Sequence, residues 1–376
     1  MAMIFNKKLI FGSPPESKVI IFDEANSNYI EEYILNNISS FIYKMRPENI
    51  YINSRIILCF LRRLTDIILK IFKEKNNKLG LSLLELLHYY RMATIEIINP
   101  NVIITYIDNS DDYHHLCRDF KNAQFFAIQN GNHSNREFEI KNKKFYLQHY
   151  FCFGDYEKDR FLKFGQVVQD YYPVGSLPFG IYRYHNNQNF KIKYDIGIVS
   201  CFRIKSKMRD SQKDFFISLD VMHSFLARYI DEHNLRAGFF MRYPFDNQEE
   251  IQYYKKIYGN NVDYVGNIKG KSTYQGIDMS EIIVSSLSTT ICEAMGYGKK
   301  ILFCDFTKTD KYHDYDSMIM FTDNNYISFK KRLDGLRCES YESYRNRTKQ
   351  YASYLMKFNP DYPPHMYIRD KLKGYL

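Results

Sequence analysis

The sequence has no tryptophan, no closely spaced cysteine pair and no apolar run long enough to cross a membrane. Its seven cysteines are scattered and odd in number. We therefore expect neither a metal site nor a disulfide framework, and a reducing compartment is favoured. The first residues lack the apolar stretch of a signal peptide. Together these absences predict a cytoplasmic protein that needs no metal.

The sequence is long enough for more than one domain. It has 376 residues, which exceeds the usual size of a single domain. The net charge of +9 suits an anionic partner such as a phosphate ester, a nucleotide sugar, an anionic lipid or a nucleic acid. No zinc finger or RNA-recognition motif is present, so nucleic acid ranks last among these partners.

Short apolar runs alternate with helical patterns in the first half of the chain. We predict strands over 18–22, 101–107, 123–128 and 144–152, with a helix over 29–43. Polar residues cluster after several of these strands. The alternation is typical of a parallel α/β sheet, which binds ligands at the carboxyl ends of its strands. A Gly/Pro-rich turn over 174–180 and a polar linker over 184–189 end this half.

A second series of the same kind follows. It predicts a helix over 211–232 and strands over 194–200, 236–241, 262–266, 281–285 and 300–304. The sequence therefore indicates two Rossmann-like α/β domains that face each other across a cleft. We place the domains at 1–183 and 190–355, and we expect the tail 356–376 to pack back on the first domain.

The segment 283–300 carries the strongest functional signal, since it predicts a strand, a hydroxyl-rich turn, a short helix and a glycine turn. Ser288 is placed to cap the helix, and Thr289 and Thr290 follow it. Unpaired amides at a helix N-terminus bind phosphate. Glu293 lies one turn further on, where it can accept a hydrogen bond from a ribose hydroxyl. The competing interpretation is that these hydroxyls only cap the helix.

In its order of residues this segment resembles the donor site of GT-B glycosyltransferases and polyol-phosphate transferases. In those proteins a paired Ser/Thr precedes an acidic residue and a Gly-Lys turn, as over 296–300 here. The resemblance implies that Thr289 and Thr290 hold the donor phosphate and that Glu293 holds the ribose.

Two basic loops fit the same donor site. Arg203 and Lys205 follow the first strand of the second half, in a loop that often carries a cation against the donor phosphate in the GT-B pattern. Arginine is preferred because its guanidinium binds phosphate in a bidentate manner. The competing interpretation of this loop is a solvated basic surface. Arg242 ends the next strand, where sialyltransferase-like members often have a His-Pro pair, so the match there is partial.

Longer stretches resemble bacterial surface carbohydrate biosynthesis proteins that are associated with nonulosonic acid pathways. The matching segments are 106–110, 128–131, 153–154, 172–176 and 283–300. The resemblance implies a glycosyltransferase for lipopolysaccharide, capsule or O-antigen sugars. Its implied donor is a nucleotide sugar, with a CMP-activated keto-acid sugar such as Kdo or a sialic-acid-like relative favoured. Its implied acceptor is a glycan or a lipid-linked glycan.

The catalytic base is the open question. Some Kdo transferases of related fold carry an acidic pair where this chain has Gln129, Asn130 and Gly131, an acceptor-side loop, so a carboxylate nucleophile is not expected there. A base that deprotonates the acceptor hydroxyl must then come from elsewhere in the first domain. The candidates are Asp23, Glu24, Asp108 and His133, with Asp23 or Glu24 preferred because they follow the clearest strand. For each of them a role as a cap or turn residue is the stronger competing interpretation.

The segment 54–75 predicts a basic amphipathic helix. Apolar residues recur at helical spacing at Ile57, Leu61, Leu64, Ile68 and Ile71. The basic residues on the remainder include Arg55, Arg62, Arg63, Lys70 and Lys73. Such a helix can lie on the anionic inner leaflet of a membrane, close to a lipid-linked acceptor. The alternative is a helix that packs on its own sheet with its basic residues solvated.

Two other functions stay open at this point. The first is a sugar-nucleotide epimerase or hydrolase, because UDP-sugar 2-epimerases share the twin-Rossmann plan. The second is a non-catalytic partner in polysaccharide assembly, which the Gln129-Asn130 departure from the acidic pair keeps open.

Overall fold

The computed structural model describes residues 8–44, 49–73, 83–139, 144–186, 190–203, 213–268, 270–286, 288–307 and 315–376. Within these residues each half of the chain builds one six-stranded parallel sheet. The arrangement is the twin-Rossmann (GT-B) α/β fold that the strand pattern predicts.

The first half contains two parallel sheets. Its strands are β1 (Lys8–Phe11), β2 (Val19–Phe22), β3 (Ser40–Tyr43), β4 (Asn49–Ile52), β5 (Val102–Thr105), β6 (Gln124–Ile128), β7 (Tyr146–Cys152) and β8 (Val167–Pro173). Strands β1 and β4 pair with each other, and the other six form a sheet in the order β3-β2-β5-β6-β7-β8. Strands β2 and β5 are fully buried, because helices cover both faces of a parallel sheet.

Seven helices are described in this half. They are α1 (Ser27–Tyr29), α2 (Ser54–Lys73), α3 (Leu83–Ile98), α4 (Asp111–Asp119), α5 (Asn135–Glu139), α6 (Asp155–Lys163) and α7 (Leu177–His185). Helix α1 continues into a π-helical turn over Ile30–Leu35.

The second half forms a single sheet. Its strands are β9 (Tyr194–Val199), β10 (Ala237–Phe240), β11 (Val262–Val265), β12 (Ser280–Ser285), β13 (Lys300–Cys304) and β14 (Met320–Phe321). Their order is β11-β10-β9-β12-β13-β14, which is the Rossmann order. Strands β10 and β11 are added on one side of β9, and β12 to β14 on the other, so the strand order reverses between β9 and β12. Ligands of such sheets bind in the crevice at that point.

Seven helices described in the second half complete the fold. They are α8 (Lys213–His233), α9 (Gln248–Tyr258), α10 (Lys271–Met279), α11 (Thr289–Gly296), α12 (Tyr326–Cys338), α13 (Tyr341–Leu355) and α14 (Pro364–Lys373). Ile368 and Leu372 of α14 are buried and belong to the same core cluster as Val19 and Ile21 of β2.

Two predicted elements differ from the observed ones. The helix predicted over 29–43 is wrong in its second part, because Asn36 and Asn37 adopt left-handed backbone conformations with φ of 46° and 77°. These end the helical stretch, and β3 then pairs with β2. The predicted turn over 174–180 is helical from Leu177 onward, because the Ser176 hydroxyl accepts a hydrogen bond from the Phe179 amide and starts α7.

The two halves meet closely where α7 packs on α10. Arg183 donates to the Asp278 carboxylate over 2.6 Å, and the Tyr182 hydroxyl donates to its other oxygen over 2.7 Å. A second crossing brings α13 back to the first half, where a Cβ on Gly154 would lie 2.2 Å from the Tyr354 carbonyl oxygen. Only glycine permits that approach. The two crossings together hold the two halves against each other on either side of the cleft.

Candidate active site in the cleft

The N-terminus of α11 lies at the crevice of the second sheet. It follows β12, which is the neighbour of β9 at the point where the strand order reverses. Ser288 has an extended backbone, and its hydroxyl accepts a hydrogen bond from the Thr290 amide over 3.3 Å. The hydroxyl-rich turn therefore caps the helix and also places its first amides at the ligand-binding edge, so the two interpretations of the sequence do not exclude each other.

The acceptor-side loop of the first sheet touches this helix directly. The Asn132 amide donates to the Thr289 hydroxyl oxygen over 3.0 Å, and the Asn132 side chain lies 3.4 Å from the Cys292 sulfur. A Cβ on Gly131 would lie 3.4 Å from the same Thr289 oxygen. The structure thus brings together two predicted segments that are more than 150 residues apart in sequence.

Gln129 shapes this loop from within. Its side chain is buried; the amide oxygen accepts from the Phe153 amide over 2.8 Å, and the amide nitrogen donates to the Gly131 carbonyl over 3.0 Å. Asn130 is tied down from the other side, since its amide lies 3.3 Å from a carboxylate oxygen of Asp108. Gln129 therefore acts on the loop's shape in this structure, and a contact between this loop and an acceptor stays a prediction.

Asp108 and His133, two of the candidate bases, form a buried pair beneath the loop. The His133 Nε2 lies 2.8 Å from the Asp108 carboxylate, and its Nδ1 lies 3.3 Å from Glu137. Burial alone would lower the pKa of His133, but the Asp108 and Glu137 carboxylates raise it to about 10. Tyr150 also donates to Asp108 over 2.8 Å. A histidine that holds its proton in this way is suited to fixing the loop, and less suited to accepting a proton.

Asp23 and Glu24, the other candidate bases, directly follow β2. Asp23 has a left-handed backbone with φ of 79°, and its carboxylate accepts from the Ala25 amide over 2.9 Å. Such a conformation is uncommon outside glycine, although Asp and Asn adopt it more readily than other residues. Glu24 is exposed and forms an ion pair of 2.8 Å with Lys44. The base role of either carboxylate stays a prediction.

Glu293 lies buried between the two halves. Its carboxylate accepts hydrogen bonds from Ser176 of the first half and, over 3.3 Å, from Tyr274 of the second. Burial raises its pKa to about 7, although the hydrogen bonds from Ser176, Tyr274 and Thr290 oppose the rise. The predicted ribose contact would thus involve a carboxylate that already has partners on both sides of the cleft.

Two tyrosines of the first half are affected by the charge of this carboxylate. Burial, and then the charge of Glu293, raise the pKa of Tyr29 and of Tyr106. Tyr106 directly follows β5, and Tyr29 lies in the helix that follows β2. Strands β2 and β5 are neighbours where the order of the first sheet reverses. The ligand-binding crevices of the two sheets therefore face each other.

The basic loops converge on the same edge of the second sheet. Arg203 and Arg242 are exposed after β9 and β10. Burial raises the pKa of the Cys201 thiol, whereas the nearby cations Arg242 and Arg203 and a hydrogen bond with Ser288 lower it. Both predicted cations therefore act on the thiol of Cys201, which lies two residues after the end of β9. Lys205 lies outside the described residues.

Glu250 holds these two loops, and sequence reasoning missed it. It is fully buried, and its carboxylate accepts from the backbone amides of Arg242 and Tyr243 over 2.9 Å each. The Ser200 hydroxyl donates to it as well. The available signal was weak, namely a glutamate in the first turn of α9 behind the capping Asn247.

The described part of the chain has neither a candidate metal site nor a helix suited to span a membrane. No group of three or more His, Cys, Asp or Glu side chains there is arranged to hold a metal ion. Among the helices described, none combines the length and the apolar character needed to cross a bilayer.

One sequence family matches this chain. The model of a family provisionally described as O-antigen biosynthesis protein matches residues 126–330, which is more than half of the chain. The chain belongs to this family. The matched region of this O-antigen family contains the acceptor-side loop, α7, the basic loops and α11. No curated protein matches the chain in sequence.

Solved structures share the fold of this chain along almost its whole length. A Listeria monocytogenes protein provisionally assigned as UDP-N-acetylglucosamine 2-epimerase has a TM-score of 0.53 and 10% identity, covering 96% of this chain and 95% of its own. S. aureus MnaA with UDP has a TM-score of 0.53 and 10% identity, covering 94% of each chain. The wall teichoic acid polymerase TagF with CDPG has a TM-score of 0.51 and 15% identity, covering 96% of this chain and 89% of its own. At such identities the similarity establishes the shared fold.

Proposed function

We propose that the chain is a glycosyltransferase that moves a sugar from a nucleotide donor to a growing surface polysaccharide or lipopolysaccharide. The observation that supports this most is the contact between the Asn132 amide and the Thr289 hydroxyl oxygen at 3.0 Å. It joins the N-terminus of α11 to the acceptor-side loop. A donor phosphate at the helix and an acceptor at the loop would then be neighbours, as a direct transfer requires.

The donor would bind mainly to the second half. The N-terminus of α11 and the hydroxyls of Thr289 and Thr290 would receive the phosphate, and Arg203 and Arg242 would neutralise its charge. Glu293 would reach the ribose once its present hydrogen bonds rearrange. We favour a CMP-activated keto-acid sugar as donor, on the strength of the resemblance described for the sequence segments.

In the proposed reaction a base removes the proton of an acceptor hydroxyl as its oxygen attacks the anomeric carbon. The bond from that carbon to the phosphate oxygen breaks, and for a CMP donor the leaving group is CMP. Asp23 is our choice of base because it is partly buried, follows β2 at the reversal of strand order, and has an uncommon backbone conformation. We further propose that the acceptor is lipid-linked and that the enzyme works at the inner face of the membrane.

Nucleotide binding tests this function, with a matched pair of variants. Ser288→Ala removes the cap of α11, and Ser340→Ala removes the equivalent cap of α13, whose hydroxyl accepts from the Ser343 amide over 3.1 Å. Each loss costs about 1 kcal/mol of stability. We expect CMP to raise the melting temperature of the wild type and of Ser340→Ala, and to affect Ser288→Ala much less.

The other outcomes separate the competing functions. A response to none of CMP, CDP, UDP and GDP would contradict the transferase and favour a non-catalytic partner. A selective response to UDP, with epimerisation of UDP-N-acetylglucosamine followed by NMR, would favour an epimerase instead. Equal loss of CMP binding in both serine variants would show that CMP does not bind at the N-terminus of α11.

A further inference from the structure

The outer face of α2 is unusual for a surface helix. Ile57, Leu58 and Leu61 expose 47%, 71% and 50% of their surface. Leu61 lies four residues after Ile57 and three after Leu58, so the three side chains share one side of the helix. Arg55 and Arg62 are exposed beside them. This side therefore combines large apolar side chains with cations.

The opposite side of α2 is fixed to the protein. Ile56 is 2% exposed, and the half-buried Arg63 reaches a carboxylate oxygen of Glu96 in α3 over 2.6 Å. Arg62 reaches the other oxygen of Glu96 over 2.6 Å from the outer side. The sequence pattern leaves open which side packs inward. In the structure α2 packs on α3, and Ile57 and Leu61 lie on the outer side of the helix.

Strand β1 adds to the same corner of the molecule. Leu9 and Phe11 alternate along this strand, so they lie on one face, and they expose 52% and 82% of their surface. The strand ends beside the start of α2, since the Asn53 side chain donates to the Gly12 carbonyl over 3.2 Å and caps α2 at the Ile56 amide over 2.7 Å.

We infer that this outer corner (Leu9, Phe11, Ile57, Leu58 and Leu61) docks on an anionic lipid bilayer. Exposed apolar clusters mark interaction surfaces, and the net positive charge in the sequence of α2 selects the partner. The sequence of α2 has one acidic residue, Asp66, against five basic ones, namely Arg55, Arg62, Arg63, Lys70 and Lys73.

An anionic surface attracts such a helix while its apolar side chains enter the interface. A second copy of this chain would bring like charges together at the same face, so self-association is disfavoured. The surface deepens the proposed function, because it would hold the cleft near a lipid-linked acceptor. Its binding to lipid nevertheless needs neither nucleotide nor transfer.

Vesicle flotation with the full chain tests the inference. The probes are vesicles of phosphatidylglycerol with phosphatidylethanolamine, compared with vesicles of phosphatidylcholine alone. The double variant Phe11→Gln/Leu58→Gln should lower partitioning to the anionic vesicles about tenfold or more. Arg55→Gln should lower it about fivefold. Ile327→Gln, which changes a residue 76% exposed on α12, should leave it unchanged.

The controls are the melting temperature, the response to CMP and the effect of salt. The variants should melt and respond to CMP as the wild type does, which separates failure of docking from failure of the proposed function. Binding to anionic vesicles should weaken as salt is added. The inference is overturned if the wild type does not bind anionic vesicles, if the double variant binds them equally well, or if the wild type is a dimer that the double variant converts to a monomer.

Discussion

Glu293 links the proposed donor site to the stability of the protein. Its carboxyl is 4% exposed and accepts hydrogen bonds from Ser176 and Tyr274 on either side of the cleft. Burial raises its pKa from 4.5 to about 7. A carboxyl with a raised pKa binds its proton more tightly in the folded protein than in the unfolded chain. Its contribution to stability is therefore fully present below pH 4.5 and is lost as the pH rises through 7.

The size of the effect follows from the shift. Each pKa unit corresponds to about 1.4 kcal/mol, so a rise from 4.5 to about 7 corresponds to about 3 kcal/mol of unfolding free energy. Glu293→Gln keeps a neutral side chain of the same shape at every pH and should remove this dependence. The variant should match the wild type near pH 4.5 and gain about 3 kcal/mol relative to it near pH 8.

Thermal melting over this pH range measures the difference. We expect the melting temperature of Glu293→Gln to rise relative to the wild type by an amount on the order of 5 °C between pH 4.5 and pH 8. Glu249→Gln, which changes an exposed neighbour of the buried Glu250, serves as the control and should show no such trend. A difference that stays flat with pH, or a wild type that gains on the variant as the pH rises, would refute a buried carboxyl with a raised pKa.

Three further changes probe the framework around the site. Glu250→Gln puts an amide donor in place of one acceptor oxygen, which leaves a buried N–H unsatisfied. It should cost about 1–3 kcal/mol in chemical unfolding and weaken CMP binding, whereas Glu249→Gln should do neither. Asp108→Asn removes the main partner that raises the pKa of His133. The His133 ring resonance in NMR should stay that of the protonated form up to about pH 9 in the wild type, and titrate at lower pH in the variant. Asp278→Asn leaves the Arg183 guanidinium buried without its carboxylate, and unfolding by urea should show a loss of about 3–5 kcal/mol. An unchanged unfolding curve would show that this ion pair does not hold the halves together.

The sequence predicts the strands best where they are buried on both faces. Val19–Phe22 and Val102–Thr105 are continuous apolar runs, and such runs are typical of central parallel strands. The sequence did not predict the strand Ser40–Tyr43, because this strand lies at the edge of its sheet and its residues also suit the end of a helix. Only the left-handed Asn36 and Asn37 separate it from the preceding helix, and a left-handed conformation is not visible in residue identity alone.

The candidate site was predictable in part for similar reasons. The cap at Ser288 depends on local sequence, so its position follows from the pattern alone. The pairing of Asp108 with His133, and of Ser176 with Glu293, depends on contacts between distant segments. These pairings change the chemistry of each group, because they decide which carboxylate is buried and which histidine keeps its proton. Glu250 acts through backbone amides, a role that no spacing of side chains indicates.

Hydrogen–deuterium exchange with CMP tests the central claim most directly. If the donor site lies at the start of α11 and faces the acceptor-side loop, added CMP should slow exchange of the amides over 288–292 and over 130–133 together. Ser288→Ala should weaken both effects, and Ser340→Ala should weaken neither. Binding of CMP that slows exchange only outside these two segments would contradict the account.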